Sequence, residues 1–108
     1  MLVDFEQACK HLRVDGLDDA QDIRQKLVAA EVRVQMFLDR RVYETQALLD
    51  AAVAAGTAGV KPMVCDDLIR VAILLTLTDL YLNRGGGTGD GMPKAAADYV
   101  RGYRLQGA

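Results

Sequence analysis

The chain has 108 residues, 51% of them hydrophobic and 26% charged, with no Trp and two Phe. Thirteen Lys and Arg against fifteen Asp and Glu leave a formal charge of −2, which speaks against tight, autonomous DNA binding, because proteins that grip phosphates carry a basic excess or stripe. The size fits one domain, residues 1–108, burying roughly two-thirds of its unfolded surface, and the composition is that of a Leu-, Val- and Ala-built globule, not a disordered chain.

Cys9 and Cys65 belong to no CxxC pair, and the single His, His11, completes no metal-ligand set. Free buried thiols in a reducing cytoplasm are expected, with no metal and no cofactor. Met1–Glu6 shows no basic stretch before an apolar run, so no secretion signal is expected. The most apolar segment, Leu68–Leu82, is shorter than the ~20 residues of a membrane span and carries Arg70 and Asp79. A buried helix is its natural reading.

Asp4 with Gln7 has the spacing of a capping box, and Val3 can staple onto Ala8. Phe5, Ala8, Cys9 and Leu12 share one helical face, predicting a short helix over Phe5–Arg13 that ends in a turn at Val14-Asp15-Gly16. Asp18 and Asp19 then begin a second helix, at its positive dipole end. Ala20, Ile23, Leu27, Ala30, Val34 and Phe37 make a sustained stripe of near-heptad spacing. The helix is predicted over Asp19–Arg41, roughly 33 Å long.

This long helix also carries a second, poorer apolar line. Val28, Val32 and Met36, with Ala29 beside them, lie roughly opposite the first stripe and are interrupted by Gln25, Gln35 and Asp39. The line serves either a neighbouring subunit or the later helices of the same chain; the spacing leaves both open. Arg40-Arg41 at the predicted helix end suit its terminal carbonyls, or a contact to DNA or a partner.

Glu44–Ala55, rich in Ala and Leu, predicts a third helix stopped by Gly56. Val60–Val64 has an extended pattern, although Pro62 disfavours a central strand. Asp66 and Asp67 are placed to cap a helix over Leu68–Arg84, apolar on nearly every side and hence central or buried by oligomerisation. Gly85 suits its C-terminal end. Gly85–Gly91 reads as a flexible connector, since it fits neither the dinucleotide fingerprint nor a phosphate loop. A last helix is predicted from near Pro93 to before Gly107. The fold class is all-α: about four helices, with the long amphipathic helix packed on the central hydrophobic one.

No catalytic set emerges. The paired aspartates are explained by capping, and His11, between Lys10 and Leu12, has no nucleophile or acid partner by spacing.

The order of these segments resembles a known family. His11-Leu12-Arg13-Val14-Asp15 leads into the long helix closing Phe37-Leu38-Asp39-Arg40-Arg41-Val42-Tyr43. Then come Met63-Val64-Cys65-Asp66-Asp67-Leu68-Ile69-Arg70, Ala72–Leu75, Leu80-Tyr81-Leu82-Asn83-Arg84, Met92-Pro93 and Tyr103-Arg104-Leu105. Over nearly the whole chain this succession is similar to the head-tail connector (portal-adaptor, head-completion) proteins of tailed bacteriophages. It departs from that pattern in its glycine run and in Gly102, where the family often has Pro.

The resemblance implies a non-enzymatic virion subunit, present in the host bacterial cytoplasm during assembly. Copies would form a ring beneath the portal protein, receive a downstream connector or tail-completion protein, and extend the channel through which DNA passes without sequence-specific binding. The candidate interface residues are Val28, Val32, Met36, Arg40, Arg41, Arg84, Tyr103 and Arg104. The rival reading is a small helical DNA-binding or regulatory module, whose best exposed recognition segment would be Asp98–Arg104.

Overall fold

The structure, a computed structural model, describes residues 2–14, 20–82 and 92–104. It is mostly helical. In chain order it contains α1 (Phe5–Leu12), α2 (Ala20–Leu38), β1 (Val42–Tyr43), α3 (Gln46–Ala55), β2 (Met63–Val64), α4 (Asp67–Leu82) and α5 (Lys94–Val100), then a 3-10 turn over Arg101–Tyr103. Asp18, Asp19, Arg84, the glycine run and Gly107 lie outside the described residues, and with them the expectations placed there.

The entry to α1 differs from the expected capping box. Asp4 occupies the N-cap with extended backbone, but its side chain makes no cap bond. The entry is anchored from afar: the Val3 N–H donates to Glu31 Oε2 on α2 at 3.1 Å. Val3 and Ala8 are both buried in the core, so this segment is oriented by α2 and not by its own cap. The helix ends at Arg13, whose left-handed backbone (φ 61°) brings the Val14 N–H to the Cys9 carbonyl at 3.1 Å.

On α2, Ile23, Leu27, Ala30, Val34 and Leu38 are fully buried and Phe37 packs partly against them. The predicted extension to Arg41 does not form. Asp39 takes a left-handed conformation (φ 56°) that ends the helix after Leu38, one that Asp tolerates better than most residues. Val42 then turns inward and is buried; its N–H donates to Gln35 Oε1 at 3.0 Å. Gln35 thus ties the end of α2 to β1.

Two short strands join the helices: β2 falls within the segment Val60–Val64 expected to be extended, whereas β1 lies just past where the long helix was expected to end. β1 and β2 pair in parallel, Val42 opposite Met63 and Tyr43 opposite Val64. Parallel strands need a crossover, and α3 is that crossover. Pro62 falls just ahead of the strand, so its missing N–H removes no ladder bond. Thr45 starts α3, its Oγ1 accepting from the Leu48 N–H at 3.2 Å, and Gly56 stops it at φ 74°, a conformation suited to glycine. No residue of α3 is buried.

Asp66 caps α4, its Oδ1 accepting from the Ile69 N–H at 3.0 Å. Ile69, Ala72, Ile73 and Leu77 are fully buried, and α4 packs against α1, α2 and α5. The buried Thr76 hydroxyl is satisfied by the Ala72 carbonyl at 2.8 Å. Pro93 stands at the N-cap of α5 with extended backbone, one step outside the helical turn expected for it. Ala96 and Val100 complete the core from α5.

The Glu31 anchor is testable. Glu31→Leu leaves the buried Val3 N–H without an acceptor and should destabilise the fold by about 1–3 kcal/mol. Glu31→Gln keeps an acceptor oxygen and should lose much less. Urea denaturation reads the difference; coincident midpoints for wild type and the Leu variant would show that the bond contributes nothing.

Candidate functional site

Two faces of α2 have opposite fates. The core stripe faces α4, and on the opposite side Val28, Val32 and Met36 remain 51%, 47% and 74% exposed. The reading in which this line packs under later helices of the same chain is therefore overturned. Met36 stands between two hollows. One is an open groove of about 870 Å³ lined by Val32, Gln35, Met36, Asp39, Arg40, Arg41, Gly59 and Val60. The smaller, about 180 Å³, is lined by Arg33, Met36, Phe37 and Met92.

Arg40 and Arg41 do not bind the last carbonyls of α2, because the helix has already ended and the chain has turned away. Arg40 Nε donates to the Lys61 carbonyl at 2.7 Å and its Nη1 to the Tyr103 carbonyl at 3.1 Å. Arg41 Nη1 donates to the Thr57 carbonyl at 3.3 Å. The two guanidiniums brace the groove floor against the loop after α3 on one side and the C-terminal turn on the other. Gly59 sits at φ 87°, and a Cβ there would meet the Arg41 side chain at 3.3 Å, so the loop approaches the arginine closely only because this residue is glycine.

The C-terminal turn joins the same region. Tyr103 Oη donates to Asp66 Oδ2 at 2.5 Å while the other oxygen of that carboxylate caps α4. Acceptance by Asp66 holds the Tyr103 phenol above its ordinary pKa, with burial adding in the same direction. The Arg104 guanidinium lies 4.8 Å from the centroid of the Phe37 ring, a cation–π contact. Tyr103 and Arg104 are thus brought to the end of α2 that Arg40 and Met36 occupy. Val28 lies further up the helix, outside the groove, and Arg84 lies outside the described residues.

Other features were not visible as parts of this site in the sequence. Val60 and Gly59 sit in an irregular loop without periodicity, and Gln35 looked like a polar interruption of the second line. Asp66 was legible as a cap, but nothing in its spacing pointed to Tyr103. Segment Asp98–Arg104, the candidate recognition element, buries Val100, and Asp98 accepts from both Lys94 and Arg101 at 2.9 Å. Those two bonds, Lys94 first, draw the Asp98 carboxyl below its usual pKa.

Among the described residues, no three His, Cys, Asp or Glu side chains gather as a cation site, and no helix is long and apolar enough to cross a membrane. Cys65 is buried, and burial pushes its thiol up to about 11 against the opposing pull of Arg70. No family profile, curated protein or solved structure matches the chain.

Two outcomes follow. The neutral Tyr103 phenol is the bonded form, so its contribution to stability is complete below the ordinary tyrosine pKa of about 10 and is lost as pH rises through the raised value in the fold. Melting temperatures measured upward from about pH 9 should show wild type falling toward Tyr103→Phe; a constant gap between them would refute the bond. Cys65, a neutral thiol near pH 8, should react with iodoacetamide only as fast as the chain opens, so labelling at the rate of a free cysteine would contradict its burial.

Proposed function

We propose that this chain is a structural subunit of the head-tail connector kind, architectural and not catalytic, which assembles with copies of itself into a ring. In this reading the helices form a small bundle, the amphipathic α2 packed on the central α4, with the outer line of α2 given over to assembly. The observation that carries the proposal is the row Val28, Val32 and Met36. Three large apolar side chains lie on one helix, each about half exposed or more, next to a groove with further apolar lining. Exposed apolar area gathered on one face beside a groove marks an interaction surface more often than scattered single residues do.

The virion assignment rests on the ordered sequence resemblance. It makes the portal protein and a downstream connector or tail-completion protein the further partners, with DNA passing through the channel, and the virion and host bacterial cytoplasm the locations. The engagement of Asp98, Arg101 and Val100 within the fold lends the DNA-binding rival no support.

Native mass spectrometry over a range of concentrations tests this. A closed cyclic oligomer is expected from wild type. Met36→Glu places a charge in the contact and should weaken association at least tenfold, about 1.4 kcal/mol, while leaving the melting temperature of the dilute, unassembled chain unchanged, since this side chain is exposed in the single chain. Purified portal protein should bind wild type, and random duplex DNA should not shift at submicromolar protein. Duplex binding at that level, with no oligomer and no portal association, would sink the proposal.

A further inference from the structure

A second unpartnered element lies outside the core. α3 is Gln-Ala-Leu-Leu-Asp-Ala-Ala-Val-Ala-Ala, an apolar sequence that buries no residue. Leu48 and Val53 are 51% and 57% exposed. Ten residues are too few to hold a helix by propensity alone, and among the described elements α3 packs chiefly on the two short strands. Its connections to the rest are peripheral: the Tyr43 hydroxyl donates to the Ala58 carbonyl at 3.2 Å, and Arg41 reaches Thr57.

Charge separates the two exposed helices. Along α2, the charged side chains that are exposed are Arg24 and Arg33, with no exposed acid between Ala20 and Leu38. Beyond its end Asp39, Arg40 and Arg41 line the groove, where the arginines outnumber the acid. On α3 the charged residue is Asp50, Glu44 precedes the helix, and no Lys or Arg occurs between Glu44 and Ala55. Pairing α2 with α2 across a two-fold axis would therefore set arginines against arginines. Pairing α2 with α3 sets an acidic apolar helix against a basic apolar groove, and like-charge juxtaposition is the costlier arrangement.

We infer that α3 of one copy seats against the α2 line and groove of the next copy, Leu48 and its neighbours covering Val32 and Met36, and Asp50 facing the arginines. This rests on the self-assembling reading and gives that assembly its second surface. Two different faces of one chain meet, so each copy offers a groove to one neighbour and a helix to another. Such a contact is heterologous and closes into a ring when the rotation between copies allows it.

The test uses wild type, Leu48→Asp, Asp50→Arg and Met36→Glu in native mass spectrometry, with melting temperatures as a check on folding. At dilutions where wild type is monomeric each variant should melt as it does, because none of the three side chains is buried. Leu48→Asp and Met36→Glu should each associate at least tenfold more weakly. Asp50→Arg should associate several-fold more weakly at low salt, converging on wild type as salt screens the contact.

An equimolar mixture of Leu48→Asp and Met36→Glu should give a dimer of unlike masses, since one intact groove and one intact helix remain between them. Oligomers of Leu48→Asp as stable as those of wild type would overturn the inference while leaving self-assembly standing. A mixture that yields no mixed dimer would do the same. A wild-type chain that stays monomeric at every concentration would overturn both.

Discussion

Burial of one side of α2 on α4 is the constraint from which the rest follows. Ile23, Leu27, Ala30, Val34 and Leu38 from α2 join Ile69, Ala72, Ile73 and Leu77 from α4 in the solvent-free interior. Each large side chain so removed from water contributes roughly 1.5–3 kcal/mol, before the conformational entropy lost in ordering the chain. α1 and α5 close the flanks of this pair. α4 offers its surface to α1, α2 and α5 together, and it meets α2 on the side opposite Val28, Val32 and Met36. The exposed row is thus a consequence of how the core was filled.

The ends of these two helices are joined by a short polar chain of contacts. Asp66 does two jobs with its two carboxylate oxygens, one on the Ile69 N–H and one on the Tyr103 hydroxyl. Tyr103 in turn presents its carbonyl to Arg40, which also holds Lys61. Charge-assisted hydrogen bonds of this type are the stronger ones, and here they connect four separate stretches of chain. The groove has a defined shape because its floor is braced from both sides. Its apolar lining, by contrast, is supplied by side chains that make little use of their own fold.

Much of this was legible in the residues. The 3.6-residue periodicity of Ile23, Leu27, Ala30 and Val34 marked the core face, and Asp66 and Gly56 marked a beginning and an end. All of these are local signals, carried within a few residues of one another. What was hidden depended on distance. The Glu31 anchor spans the gap between two helices, so the Asp4–Gln7 spacing suggested a cap that a remote carboxylate made unnecessary. Strands of two residues are too short for any alternation to register. Arg40-Arg41 resembled a helix end in sequence, yet Asp39 had already turned the chain, freeing both arginines for carbonyls contributed by later segments. Of the candidate interface, the apolar line was visible from spacing, whereas the loop residues Gly59 and Val60 were not.

The β1–α3–β2 excursion leaves the body of the protein and returns to it at adjacent strands, with no residue of its helix buried. A segment attached in that way opens at a free-energy cost well below that of the whole domain, and changes in its exposed residues leave the packing of α2 on α4 untouched. A lineage carrying this fold is free to remodel the excursion residue by residue, and so to change what it meets, while the scaffold that presents it stays the same.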